Sequence, residues 1–329
     1  TTTSDKYAQY FGFTEKEVFQ ALDETGLGTE KQGVKEWYDG FTFGNHTDIY
    51  NPWSIMSFIS KKGKYDTYWA GTSSNELVNS LMRTGTAHTK DILEELLSGK
   101  SFVAMIDEQI VFNQLGESVN AVWSLLLASG YLKVIAHEEL RADRKSEPSY
   151  TLALTNHEVL LMFRKMVKGW FCTQEQGSAY NDFVKALLLD DVDAMNEFMN
   201  KIALQSFSSF DIAKGASSED DPERFYHGFV LGLMVDLDGR FVIHSNKESG
   251  FGRYDVMLCP VDRERDNAYI IEFKVHKPRK EKDLEETVAN ALTQIAERKY
   301  ETQLLADGLK PEQIRKYGFA FAGKMCLIG

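Results

Sequence analysis

The sequence predicts a mixed α/β protein, α+β overall, whose helical first part precedes a sheet-centred last third. Three observations carry this. Capping and core-spacing signals mark helices through most of the first 205 residues. From residue 222 the pattern becomes helix, strand, strand, strand, helix, strand. Residues 268–275 read as a strand whose charged members share one face.

Residues 1–110 read as mostly helical. Thr14 and Glu17 have the spacing of a capping box that opens a helix over 15–23, and Gly26 and Gly28 end it. Residues 34–50 are aromatic and turn-rich around Gly40 and Gly44. Asn51-Pro52 breaks the chain and starts a helix over 52–59. Further helices are expected over 74–82 and 90–97. Trp37, Tyr38, Trp53 and Trp69 are expected in a core; on the surface they would mark a docking unit.

Residues 111–175 read as a winged-helix-like unit. A helix over 119–132 carries Val122, Leu125 and Leu126 at core spacing. Strands at 131–137 and 149–154 flank a polar loop, and a helix over 156–171 follows. Such a unit docks proteins as well as reading DNA. The polar stretch 173–178 marks a boundary, so the expected division is 1–110, 111–175 and 176–329. Helices are then expected at 179–189 and 192–205, followed by a Ser-, Asp- and Gly-rich loop over 206–221.

Bulk properties narrow the function. With 329 residues, 43% of them hydrophobic and 26% charged, the chain suits a soluble globular protein of two or three domains. It has no signal peptide, and no apolar run nears the roughly 20 residues of a membrane helix. A cytoplasmic location is expected. The start at Thr1 reads as a fragment or a processed product. A net charge of −12 argues against coating nucleic acid through overall charge but suits a carboxylate site for divalent cations. Cys172, Cys259 and Cys326 form no C-x-x-C pair, which argues for reduced thiols over a zinc knuckle or disulfides. No G-x-x-x-x-G-K-[ST] occurs, so no nucleotide site is expected.

The chemistry concentrates after residue 222. A helix over 222–235 puts Glu223 and His227 on one face. Strands are expected at 240–245, 253–259 and 268–275. In the last, Ile270, Glu272 and Lys274 point one way. Asp255 reaches the same face if the strands pair. Two carboxylates in apolar strands repel, and a shared divalent cation removes the conflict. A lysine beside them can orient water or stabilise charge on a phosphate. A structural Asp–Lys–Glu ion-pair network is the alternative that alternation leaves open. Arg253, next to Gly250 and Gly252, is either a phosphate contact or part of a structural turn. Lys274, Lys277, Arg279, Lys280 and Lys282 place five basic residues in nine. They either hold a nucleic-acid backbone or form a solvated helix start. The next helix buries Val288, Ala291, Leu292 and Ile295, with Gln294 off that stripe.

Asp255, sixteen residues, then Glu272-Phe273-Lys274 resembles the D…(D/E)-x-K signature of the PD-(D/E)XK nuclease superfamily. The surrounding segments 223–234, 245–258, 269–275 and 291–300 resemble, in order, the nuclease domain that ends certain bacterial AAA-ATPase-like proteins. Segments 36–44, 50–58 and 68–78 resemble the part that follows their ATPase core. The P-loop of those proteins is absent. The resemblance implies a restriction-endonuclease-like mixed sheet flanked by helices. It implies metal ligation by Asp255, Glu272 and the Val275 carbonyl, with Mg²⁺ favoured and Mn²⁺ fitting. Lys274 becomes the catalytic lysine and Glu223 a further acidic residue, unless Glu223 serves only the helix dipole. His227 becomes a metal ligand, the alternative being a hydrogen-bonded helix residue. Gln294 and Tyr300 become liners of a nucleic-acid channel, the alternative being helix surface. The implied activity is Mg²⁺-dependent phosphodiester hydrolysis, with DNA as the partner. The other reading is a non-catalytic module that binds DNA or a protein partner, the latter through residues 1–175, and regulates an associated ATPase.

Overall fold

A computed structural model describes residues 10–43, 46–70, 75–106, 119–138, 149–170, 177–210, 221–245, 248–249, 252–253 and 256–329. The chain forms two compact units: Thr1–Met82 with Asp91–Met166, and Arg83–Lys90 with Val167–Gly329. Of the expected boundary at 173–178, residues 173–176 lie outside the described residues. No helix among the described residues is long and apolar enough to cross a membrane.

In the first unit the capping box forms. Glu17 Oε2 accepts from the Thr14 amide and hydroxyl, both at 2.8 Å, and opens α1 (Glu15–Glu24) behind the short strand β1 (Phe13–Thr14). After α2 (Lys31–Tyr38), the aromatic, turn-rich stretch becomes two paired strands, β2 (Phe41–Phe43) and β3 (His46–Tyr50), in a sheet ordered β1-β3-β2. Asn51 caps α3 (Pro52–Ser60) by accepting from the Trp53 amide at 2.9 Å. Val18, Leu22, Val34, Tyr38, Tyr50 and Phe58 fill the core between these elements, with Trp37 packed against them. Trp53 departs from expectation. It is 58% exposed, on the side of α3 away from buried Ile55 and Phe58.

Helices α4 (Glu76–Thr84) and α5 (Ala87–Leu97) follow. Next comes a strand the sequence reading missed, β4 (Phe102–Ala104), in a stretch expected to be helical. Three residues cannot display a period, and pairing with a distant strand sets their conformation. After α6 (Val119–Ala128) come β5 (Leu132–Glu138) and β6 (Ser149–Leu154), with sheet order β4-β6-β5, then α7 (His157–Gly169). One α7 side chain clamps the unit. Glu158, 1% exposed, accepts from the amides of Tyr68 (2.5 Å), Trp69 (2.7 Å) and Ala70 (3.3 Å) and from the Ser54 hydroxyl (2.9 Å). Burial pushes its carboxyl up, against the pull of these four donors.

The second unit is built on a five-stranded sheet. Helices α8 (Gly177–Leu188), α9 (Val192–Phe210) and α10 (Asp221–Asp236) precede it. The loop expected over 206–221 thus begins as the last turns of α9, and residues 211–220 lie outside the described residues. The strands are β7 (Phe241–Ser245), the small pair β8 (Glu248–Ser249) and β9 (Gly252–Arg253), then β10 (Val256–Pro260) and β11 (Ala268–Val275). Helices α11 (Leu284–Arg298) and α12 (Thr302–Ala306) lead to β12 (Ile314–Ala322) and β13 (Met325–Ile328). The sheet order is β13-β12-β11-β10-β7, with β11 and β12 parallel and the other pairs antiparallel. The parallel pair requires a crossover, which α11 and α12 supply.

Helices cover both faces. On one, Ile295 of α11 and Leu304 of α12 pack with Met257, Ile270, Tyr300 and Ile314. On the other, Phe183 of α8 meets Phe229 of α10 at 5.2 Å and Phe319 of β12 at 6.3 Å between ring centroids. The edge strand β13 is met by side chains of α9. Asn200 Nδ2 donates to the Cys326 carbonyl (2.7 Å), and the Cys326 amide donates to Asn200 Oδ1 (2.8 Å). Asn196 makes the same exchange with Ile328 at 2.9 and 2.8 Å. Four residues apart, the two amides share one helix face and match the two-residue step of a strand.

Candidate active site

The site grows from β11. Glu272 and Lys274 face α11, as alternation requires, while Phe273 faces Phe319 across the sheet. The Glu272 side chain is 4% exposed and that of Lys274 25%, with Lys274 Nζ 3.8 Å from Glu272 Oε1. A carboxylate this deep in an apolar strand is costly without donors and a countercharge.

Gln294 of α11 completes the arrangement. Its Oε1 accepts from Lys274 Nζ at 2.7 Å, and its Nε2 donates to Glu272 Oε1 and, at 3.0 Å, to the Tyr300 hydroxyl. The partners fix the amide orientation, because an ammonium can only donate and a carboxylate can only accept. Gln294 reaches the strand because α11 lies close to the sheet. In the β11–β12 register Glu272 is paired with Gly318. A Cβ at Gly318 would sit 2.8 Å from the Val288 carbonyl oxygen and 2.9 Å from Ala291 Cβ. That glycine permits the approach.

The helix itself is well bounded. Asp283 caps it by accepting from the Glu286 amide at 2.9 Å. Lys299, left-handed at φ 53°, ends it. Tyr300 therefore lies beyond α11, which corrects its expected place on that helix. Its ring is 1% exposed in the core with Ile270 and Ile295. Its hydroxyl accepts from Gln294 Nε2 at 3.0 Å.

Where β11 ends, the His276 amide donates to the Phe321 carbonyl at 2.8 Å and prolongs the pairing with β12. Val275 is 42% exposed, and Lys277, Arg279 and Lys280 are exposed on the turn that follows. A cavity of about 640 Å³ opens here, lined by Lys274, Val275, Lys277, Glu281, Asn290 and Gln294 among others. Glu281 is held by polar contacts on both oxygens. The Lys277 amide chiefly, then the Asn290 and Thr287 side chains, lower its carboxyl below the usual range. Neither Gly318 nor Glu281 was singled out from sequence. An acidic residue inside a basic run was the available signal for Glu281.

Asp255 lies outside the described residues. Glu223 and His227 belong to α10 and Arg253 to β9, but their side chains also lie outside the described set. Val256, which follows Asp255 in sequence, pairs with Ile271, the residue before Glu272. The buried Glu272 carboxylate is a hard oxygen donor of the kind a hard divalent cation takes. Another carboxylate group, Glu15, Asp39 and Asp48, lies in the first unit. Lys35 already bridges it, 2.5 Å from Glu15 Oε2 and 3.1 Å from Asp48 Oδ1, supplying a positive charge.

Over 158 residues the chain is 22% identical to an uncharacterized protein in the vnfD 5' region of Azotobacter chroococcum mcd 1. That match covers 48% of this chain and 28% of that protein, so the chain spans well under half of its relative. No solved structure matches. Residues 221–329, which include β11, α11 and β12, match the family model of the PD-(D/E)XK nuclease superfamily.

Proposed function

We propose that the second unit is a divalent-metal-dependent nuclease acting on DNA. The observation that carries this is the Glu272–Gln294–Lys274 arrangement, in which Gln294 and Lys274 line a cavity beside an exposed basic turn. Val256, the residue after Asp255 in sequence, pairs with Ile271, the residue before Glu272, which supports assigning both carboxylates to one site. Glu272, Asp255 and the Val275 carbonyl would then hold Mg²⁺, or Mn²⁺ in its place. A bound ion supplies a polarised water and neutralises charge on the scissile phosphate.

The chain's own residues do the rest. Gln294 fixes Glu272 and Lys274 in one relation, so that neither must reorganise when substrate enters. Lys274 donates to the attacking water or to a non-bridging phosphate oxygen. Lys277, Arg279 and Lys280 hold the strand through its phosphates, a salt-dependent contact that leaves sequence unread. Glu223, His227 and Arg253 are assigned supporting contacts with metal and phosphate. Residues 1–175 are proposed to dock a protein partner such as an ATPase, supported by exposed Trp53 and Met56 on α3.

The test is nicking of a supercoiled plasmid with Mg²⁺ or Mn²⁺. Wild type is expected to nick, and Glu272→Ala to lose at least about 100-fold. DNA binding without nicking under any divalent cation would instead favour the non-catalytic module.

A further inference from the structure

The turn after β11 carries a carboxylate for which the proposed reaction has no use. Glu281 stands within the basic run, yet its side chain is 12% exposed. Its Oε2 accepts from the Lys277 amide (2.8 Å) and the Thr287 hydroxyl (2.9 Å) and lies 3.6 Å from His276 Nδ1. Its Oε1 accepts from Asn290 Nδ2 at 3.0 Å. His276 Nδ1 is also 2.9 Å from the hydroxyl of Thr287, a residue with no exposed surface.

Two of these partners, His276 and Lys277, belong to the exit of the strand that carries Glu272 and Lys274. The other two, Thr287 and Asn290, belong to the first turns of the helix that carries Gln294. Glu281 thus joins the two elements whose relative placement defines the site. Both its oxygens are engaged by protein donors, which suits a brace better than a ligand. It also lines the same cavity as Lys274 and Gln294.

We propose that Glu281 is a positioning residue of the nuclease centre. It holds the strand exit against α11 and thereby fixes the Val275 carbonyl and Lys277 relative to Lys274 and Gln294. The proposal rests on the nuclease reading above, and acts through neighbours rather than through contact with the reacting atoms.

The experiment uses the full chain and two readouts: hydrogen exchange at the Lys277 amide, and cleavage kinetics with saturating Mg²⁺. Glu281→Ala is expected to speed exchange at Lys277 and to lower kcat roughly 10–100-fold, the range for groups that orient a metal centre's ligands. KM should change less than kcat, because Glu281 itself touches no substrate and acts on Lys277 only through its backbone. Glu281→Gln, which keeps an acceptor oxygen, should fall between, and it supplies the reading should the alanine variant not fold. Glu285→Ala, on the exposed side of the same helix, should change neither readout. Unchanged exchange at Lys277, or faster exchange with unchanged kcat, overturns the proposal in a chain that cleaves. A wild-type chain that cleaves nothing overturns the nuclease reading instead, and with it the catalytic half of this one.

Discussion

Asp39 shows how strongly one side chain's surroundings act on its chemistry. It follows α2, near Asp48 and Lys35, and burial, the largest cause, raises its carboxyl from 3.8 to about 6. For an acid with a raised folded pKa, the stabilising contribution is complete below the unfolded value and is lost as pH rises through the folded one. Asp39→Asn should therefore melt progressively higher than wild type as pH rises from 4 toward 7.5, with the gap closing at the acid end. Thermal melts across that range check it, and a gap that is constant or widens toward acid would refute the assignment. At this scale the sequence was informative where chemistry is local. The acidic and basic residues of β11 were legible because a strand's alternation is visible in eight letters. The bond from Gln294 to both was not, since it joins residues 20 and 22 positions apart. Tyr300 was misplaced because no glycine announced the left-handed helix stop at Lys299.

Elements impose their own demands, and the β11–α11–β12 crossover depends on a bare backbone at Gly318. Replacing Gly318 with Val would push α11 from the sheet at Val288 and Ala291. The strain expected is about 1–3 kcal/mol, the usual cost of overpacking a tight contact. Cleavage should fall with it, because Gln294 would withdraw from Glu272. A calorimetric scan and a nicking assay on the same sample test both, and full activity with a lowered Tm would show that the helix can shift without disturbing the site. The apolar stripe that placed α11 was readable, and Val288, Ala291 and Ile295 are buried as expected. The parallel pairing of β11 with β12 was not, since parallel register leaves no mark on either strand's own pattern. The same holds for β4, whose three residues take their conformation from β6.

At the scale of the whole molecule, an open sheet must protect its outer strands. Unpaired amides and carbonyls along such a rim form a template on which a foreign chain can add itself. Asn196 and Asn200 occupy that template along β13, each giving the rim one donor and one acceptor. Their helix therefore does more than fill space: it makes the last strand sterically and chemically closed to newcomers. Asn196→Ala with Asn200→Ala should leave the proposed cleavage centre intact while opening the rim. The expected result is concentration-dependent association, seen as rising light scattering and thioflavin binding on mild heating, where wild type stays clear. Equal clarity of the two proteins would mean that the bulk of α9, rather than its amides, keeps stray strands away.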